Sequence, residues 1–152
     1  MLVGRVASEW SHLEHVLDMT IWALLGADDR LAACVTSQIM GVGPRCKAIA
    51  VLGTVLGIRP ETIKDYRKLM SDSYGPADER ARIVHDPWYS EKTTQEPSQF
   101  KAMPYTNPRL GLVEITEDEI ESVVTRIANL KTRASNLLNA VQTELSTLRK
   151  TT

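Results

Sequence analysis

The sequence predicts an all-α fold, an up-and-down bundle of about five helices, in one domain spanning residues 1–152. Two observations carry this prediction. Apolar residues recur at spacings of three and four along most of the chain, which places them on one face of a helix. Glycine and proline interrupt the pattern at Gly26, in "GVGP" at 41–44 and at Pro60, where helices are expected to end or begin.

Three helices are predicted in the first third of the chain. The first, over 2–25, has an apolar stripe that Gly26 closes. The second, over 28–40, opens with acidic residues, which the helix dipole favours. The third has Pro44 in its first turn and is apolar on nearly all sides, so we expect it at the centre of the bundle. The stripe of the first helix consists of Val6, Trp10, Leu13, Leu17, Ile21 and Leu24.

The middle of the chain combines two shorter helices with a non-helical segment. A helix that opens at Pro60 is expected to break in "YGPA" at 74–77, and a short helix, "ADERARIVH", follows until Pro87 disfavours helical geometry. Residues 88–115 carry three of the seven prolines and lack a helical period, which predicts a small irregular or β-hairpin insertion. Extended pieces are expected around 88–93, 99–103 and 110–115.

The last helix is predicted from a capping box and a long apolar stripe. Thr116 and Glu119 have the spacing at which two side chains satisfy backbone donors at a helix start. The helix would be about 50 Å long, whereas a compact domain of this size has a radius of gyration of about 15 Å. We therefore expect an overhanging stripe, which a homodimer would cover. The stripe consists of Ile120, Val124, Ile127, Leu130, Ala134, Leu137, Val141, Leu145 and Leu148.

Composition and charge exclude several classes of protein. The formal net charge is −1, so any contact with nucleic acid needs a local basic patch. Cys34 and Cys46 lack a second cluster of cysteine or histidine, so we expect no zinc site, and neither a metal nor a cofactor is predicted. The N-terminus has no signal-peptide pattern, and "MTIWALLG" is too short to cross a bilayer. We expect a cytoplasmic protein without a membrane partner.

The stretch "ERARIVHDPW" places an arginine and a histidine near the end of a predicted helix. If a helix starts at Ala77, then Ala77, Ala81 and Val84 lie on one face of it, which predicts a buried stripe. Arg80 and His85 would flank this stripe about 140° apart and would not face each other within one chain. Packing of the small stripe against a second subunit would instead bring each Arg80 close to the partner's His85.

Two interpretations of this pair remain open. In one, Arg80, Arg82 and Asp78 are solvated charges, and His85 donates to a carbonyl or contacts water. In the other, His85 takes a proton from a ribose 2′-hydroxyl while Arg80 binds the phosphate, with Arg82 and Asp78 as supporting groups. These two catalytic roles suffice for metal-independent cleavage of RNA by internal attack of the 2′-oxygen.

The same stretch resembles a family signature. "RARIVH" followed by "DPW" resembles the Arg-x4-His pattern of the HEPN superfamily, which lies on a helix of an all-α bundle. The leading helix with "SEWSHLEHVL" and the long final helix resemble that plan as well. The chain as a whole is thus expected to be a single HEPN-like domain.

The resemblance implies a dimer whose subunits jointly form an active site. It implies an RNA-directed protein, an endoribonuclease of a toxin–antitoxin or defence system, with RNA as substrate and an antitoxin-type protein as partner. It assigns phosphate binding to Arg80 and the role of base to His85. Other members are non-catalytic, so a dimeric interaction or scaffold module is the main alternative. A small-molecule-binding bundle, which would use the apolar surface near Trp88 and Tyr89, is a third.

Further candidate residues lie outside this stretch. Glu14, next to the apolar face of the first helix, is a candidate to approach Arg80 or His85 as an orienting carboxylate. Glu9, His12 and His15 with Glu14 are candidates for a metal or acid–base group, although a charged helix flank is the preferred account. Candidate phosphate contacts in the insertion are Lys92, Lys101 and Arg109.

Overall fold

The computed structural model describes residues 2–90, 97–103 and 109–151. Within these ranges it contains five helices and three short strands, which confirms the all-α bundle with a small insertion. The helices are α1 (Leu2–Leu25), α2 (Asp29–Thr36), α3 (Val42–Leu56), α4 (Pro60–His85) and α5 (Glu117–Thr151). The strands are β1 (Trp88–Ser90), β2 (Pro97–Met103) and β3 (Arg109–Glu114).

Three long helices, α1, α4 and α5, form the frame of the bundle. An ion pair joins Arg5 to Glu121 near the starts of α1 and α5, so these two helices run in the same direction. Arg59, just before α4, pairs with Glu144 near the end of α5, so α4 runs the opposite way. The core lies between them and α3, and its largest fully buried side chains include Leu13, Leu17, Ile21, Ile49, Tyr66, Leu69 and Ile127.

Helix α4 is continuous, so the predicted break at 74–77 is wrong. Pro76 lies inside the helix and is buried. An interior proline removes one backbone hydrogen bond and costs about 3 kcal/mol. Packing along 26 residues outweighs this cost, because one apolar face continues through the proline. That face consists of Ile63, Tyr66, Leu69, Ser73, Pro76 and Ile83.

The apolar composition of α3 predicted a helix at the centre of the bundle, but α3 is not central. Its inner side packs on α1 and α4, while Val51 and Val55 on its outer side are 64% and 79% exposed. Gly53 permits the close approach to α4, since a Cβ atom there would lie 2.5 Å from Cδ1 of Ile63. An apolar composition on all sides therefore does not bury this helix within one chain.

Helix α5 confirms the capping box and corrects the predicted overhang. The backbone N–H of Thr116 donates to Oε2 of Glu119 at 2.8 Å, and the N–H of Glu119 donates to Oγ1 of Thr116 at 3.2 Å. Apart from Leu137, which is half-buried, the stripe is buried as far as Leu145, against α1 and α4, which are 24 and 26 residues long. The bundle is elongated, so the length of α5 gives no argument for a dimer.

The insertion is a three-stranded antiparallel sheet in the order β1-β2-β3. In its register Trp88 lies opposite Gln99, and Phe100 lies opposite Leu112. Extended pieces were predicted close to all three strands, and a hairpin pairing was considered, but the register was not predicted. No helix in the described ranges combines the length and apolar character that crossing a bilayer requires.

Candidate functional site

Arg80 and His85 meet at the end of α4 within one chain. Nη1 of Arg80 lies 3.2 Å from Nε2 of His85. The prediction that their separation of about 140° keeps them apart is therefore wrong. The long stem of arginine crosses this angle, and His85 is the last helical residue, so no following turn hinders its ring.

The rotational phase of α4 explains why Arg80 reaches inward. Pro76 and Ile83 are buried, and Arg80 lies between them at helical spacing. Ala81, assigned to a buried stripe on the sequence, is exposed, while Ala77 and Val84 are half-buried. The buried face of α4 is thus rotated around the helix relative to the predicted stripe, and Arg80 lies on the core-facing side.

Arg80 combines a buried and an exposed part. Its Nε is buried and has no hydrogen-bond partner among the described residues, whereas Nη1 reaches His85, which is exposed. A buried donor without a partner costs about 1–3 kcal/mol. Native proteins keep few such groups, and those that persist often mark a functional position.

The contact also defines the form of the histidine ring. Arginine only donates hydrogen bonds, so Nε2 of His85 is the acceptor in this contact. The neutral ring then carries its proton on Nδ1. In this arrangement Nε2 of His85 faces the guanidinium of Arg80 as a hydrogen-bond acceptor.

Two side chains of the sheet hold the end of α4. Nε1 of Trp88 donates to the carbonyl of Ile83 at 2.9 Å, and Nε2 of Gln99 donates to the carbonyl of Arg82 at 2.7 Å. These carbonyls belong to the last helical turn, where backbone acceptors run short of helical N–H partners. Trp88 packs against the core. Gln99 is fully buried, and sequence reasoning missed it because nothing in a polar, proline-rich segment marks it.

The supporting residues predicted for the pair are dispersed. Arg82 and Asp78 are exposed on α4. Glu14 lies elsewhere: its Oε1 is 3.4 Å from Nη1 of Arg45, a buried residue that also donates to Asp18 at 2.7 Å. Glu14 thus belongs to an ion cluster between α1 and α3, and the structure does not bring it to His85.

The other candidate groups of the sequence do not form a common site. Glu9 pairs with Lys131 at 2.6 Å, His12 is exposed, and the ring of His15 packs edge-on against Trp22. No cluster of three metal-ligating side chains occurs in the described part of the chain. Lys92 and the side chains of Lys101 and Arg109 lie outside the described residues. Both cysteines are free, and burial raises the pKa of Cys46 to about 12.

A shallow cleft of about 300 Å³ lies between α4 and α5 beside Pro76. Its polar rim is already paired, since Arg133 contacts Asp72 at 2.9 Å and Arg126 contacts Glu79. The hydrogen bond from Arg133 is the main cause that lowers the pKa of Asp72. The arginines of this cleft are thus held by acids, whereas Arg80 forms no ion pair with an acid among the described residues.

No family model, no curated protein and no solved structure matches this chain. The functional argument therefore depends on the residues at the end of α4.

Proposed function

We propose that the protein acts on RNA as a metal-independent endoribonuclease, with Arg80 and His85 as its reacting groups. The 3.2 Å contact between the arginine and the histidine at the end of α4 carries the proposal. It joins a phosphate-binding cation to a proton acceptor, the two functions that cleavage through the 2′-oxygen needs. The HEPN-like pattern of "RARIVH" and "DPW" in the sequence agrees with this assignment.

The proposed reaction begins when an RNA phosphate attracts the guanidinium of Arg80 away from His85. Nε2 then takes the proton of the 2′-hydroxyl, and the 2′-oxygen forms a bond to phosphorus. The bond from phosphorus to the 5′-oxygen breaks, and the imidazolium returns its proton to that oxygen. The products are a 2′,3′-cyclic phosphate and a 5′-hydroxyl, while Arg80 stabilises the charge on phosphorus.

A homodimer through the 77–88 region remains part of the proposal. Ala81 is exposed and Ala77 is half-buried, so this side of α4 is open in a single chain. Tyr89, 51% exposed, lies just beyond it. A two-fold contact there would set the two Arg80–His85 pairs beside each other. Light scattering at micromolar concentration tests this, and a monomer would contradict the shared cleft.

A second candidate, a non-catalytic interaction module, is favoured by exposed apolar residues on α2 and α3. Leu31 and Val35 on α2 are 66% and 52% exposed, and Val51 and Val55 on α3 are 64% and 79% exposed. Such residues suit contact with another protein, for which an antitoxin-type partner is the candidate. This module would keep its partner when Arg80 or His85 is replaced by alanine.

The experiment incubates the purified chain with structured and single-stranded RNA, with and without a chelator. We expect cleavage in both conditions, with 2′,3′-cyclic phosphate ends identified by mass spectrometry. In His85→Ala and Arg80→Ala the rate should fall by about 10²- to 10⁴-fold, because each removes a group that acts in the transition state.

Two matched variants control for loss of charge or fold. His12→Ala removes an exposed histidine on α1, and Arg67→Ala removes an exposed arginine from α4 itself. Both are expected to retain the rate of the unmodified chain. Intact RNA at several pH values would refute the ribonuclease, and activity abolished by the chelator would refute the metal-independent mechanism.

A further inference from the structure

The end of α4 is held from the sheet by a matched pair of donors. Trp88 and Gln99 lie directly opposite each other on β1 and β2, so their side chains share one face of the sheet. They donate to the carbonyls of two consecutive residues, Ile83 and Arg82. The carbonyl of Arg82 also accepts from the N–H of Asp86 at 2.9 Å, which closes the last turn.

We propose that Gln99 is a positioning residue for this site: together with Trp88 it fixes the last turn of α4 and so keeps His85 within reach of Arg80. Its consequence for RNA cleavage rests on the proposed function, whereas its effect on the geometry of His85 does not.

The burial of Gln99 supports a role that packing alone does not explain. The residue is 0% exposed, and its Oε1 has no hydrogen-bond partner among the described residues. A buried amide with one unmet acceptor is less favourable for packing than an apolar side chain of the same size. The donor of the same amide is well placed, at 2.7 Å from the carbonyl of Arg82. The side chain of Gln99 is thus better suited to orient α4 than to fill the core.

The link from Gln99 to the reacting groups is short. Arg82 lies three residues before His85, in the same final turn, so its carbonyl moves together with the backbone of His85. Release of this carbonyl allows the turn to fray, because terminal turns are the least stable part of a helix. The imidazole would then leave Nη1 of Arg80, and Nε2 would lose the donor that it faces in the folded chain.

The test uses the ¹⁵N-labelled full chain and three variants. Gln99→Met keeps an unbranched side chain of similar length without the donor, and Trp88→Phe keeps an aromatic ring without the indole N–H. Tyr89→Phe is the matched control, since Tyr89 points to the opposite face of β1 and is exposed. Readouts are amide exchange of Asp86, the ring tautomer of His85 from its nitrogen chemical shifts, and the midpoint of thermal unfolding.

We expect Asp86 to exchange about five- to tenfold faster in Gln99→Met, as expected for loss of one hydrogen bond. The Nδ1–H tautomer of His85 should lose its predominance, while the unfolding midpoint changes little because an unmet acceptor is removed as well. Tyr89→Phe should match the unmodified chain. If Gln99→Met does not fold, Trp88→Phe decides, and we expect the same shifts there.

Unaltered exchange and an unaltered tautomer in either donor variant would overturn the positioning role, even if RNA cleavage fell. Altered exchange and tautomer in a chain that never cleaves RNA would support the positioning role and refute the ribonuclease. The two proposals therefore fail separately.

Discussion

The two ends of α4 are both held by side chains from elsewhere in the fold, but in different ways. At the start, Glu144 of α5 accepts from the backbone N–H of Arg59 at 2.8 Å and from Oγ1 of Thr62 at 2.7 Å, and it pairs with the guanidinium of Arg59. At the end, the neutral donors of Trp88 and Gln99 meet two carbonyls. One end is held by a charge and the other by uncharged groups.

This difference sets the expected stability of each end. Hydrogen bonds to a charged group are about twice as strong as neutral ones. The start of α4 is therefore fixed as part of the bundle, with its acid on the longest helix. The end retains two unmet buried atoms, Nε of Arg80 and Oε1 of Gln99, and it carries the proposed reacting groups. The proposed reaction would therefore take place at the less firmly held end of α4.

The largest effect is expected from Glu144→Ala, which breaks the charged end. It leaves the N–H of Arg59 and the hydroxyl of Thr62 without their acceptor, so the free energy of unfolding should fall by about 2–3 kcal/mol. Urea unfolding measures this loss. Glu79→Ala, which removes an exposed ion pair with Arg126, is the control and should cost at most about 1 kcal/mol. An equal loss of unfolding free energy in both variants would contradict the special role of Glu144 at the start of α4.

A smaller effect is expected from pH, through the same carboxylate. Burial acts to raise the pKa of Glu144, but the hydrogen bonds from Arg59 and Thr62 outweigh it and lower the pKa below its ordinary value of 4.5. An acid with a lowered pKa stabilises the fold above its unfolded pKa, and this stability is lost as pH falls through the folded value. The unfolding free energy should thus decline below pH 4.5.

Glu144→Gln isolates this contribution, because the amide does not titrate. Its unfolding free energy, measured by urea titration at several acidic pH values, should decline less steeply than that of the unmodified chain. Parallel curves for both chains would assign the acid sensitivity to other carboxylates.

The smallest effect, of opposite sign, is expected from Arg80→Met at the weaker end. Methionine keeps an unbranched stem on the core-facing side and removes the unmet Nε, so the free energy of unfolding should be unchanged or rise by about 1 kcal/mol. RNA cleavage should be lost in the same variant. A clear loss of stability in urea unfolding would show that Arg80 has a structural role instead.

The sequence predicted α1 and α5 well, because their signals are local. The apolar stripe of α1 and the capping box of Thr116 and Glu119 each need only a few neighbouring residues. The break at Pro76 was wrong because the energy that carries the helix through a proline comes from packing against α5, which no local pattern contains. The continuous helix instead carries its buried face from Ser73 through Pro76 to Ile83, whereas the predicted short helix had its buried stripe at Ala77, Ala81 and Val84.

The sequence singled out Arg80 and His85 but predicted that they lie apart within one chain, whereas the structure places them in contact. Gln99 and Glu144 were missed for a common reason. Gln99 contacts a residue 17 positions away, and Glu144 contacts residues 82 and 85 positions away. Such partners depend on the register of a sheet and the direction of two helices, which only the complete fold defines.

The parallel packing of α1 and α5 also bears on the order of folding. Contacts between Arg5 and Glu121, and between Glu9 and Lys131, join the first helix to the last across most of the chain. Because the ribosome adds residues from the N-terminus onward, the apolar surface of α1 that packs on α5 stays uncovered until α5 has been synthesised. The bundle therefore closes only after α5 has been synthesised, and contacts this distant in sequence favour slow folding for an all-α protein.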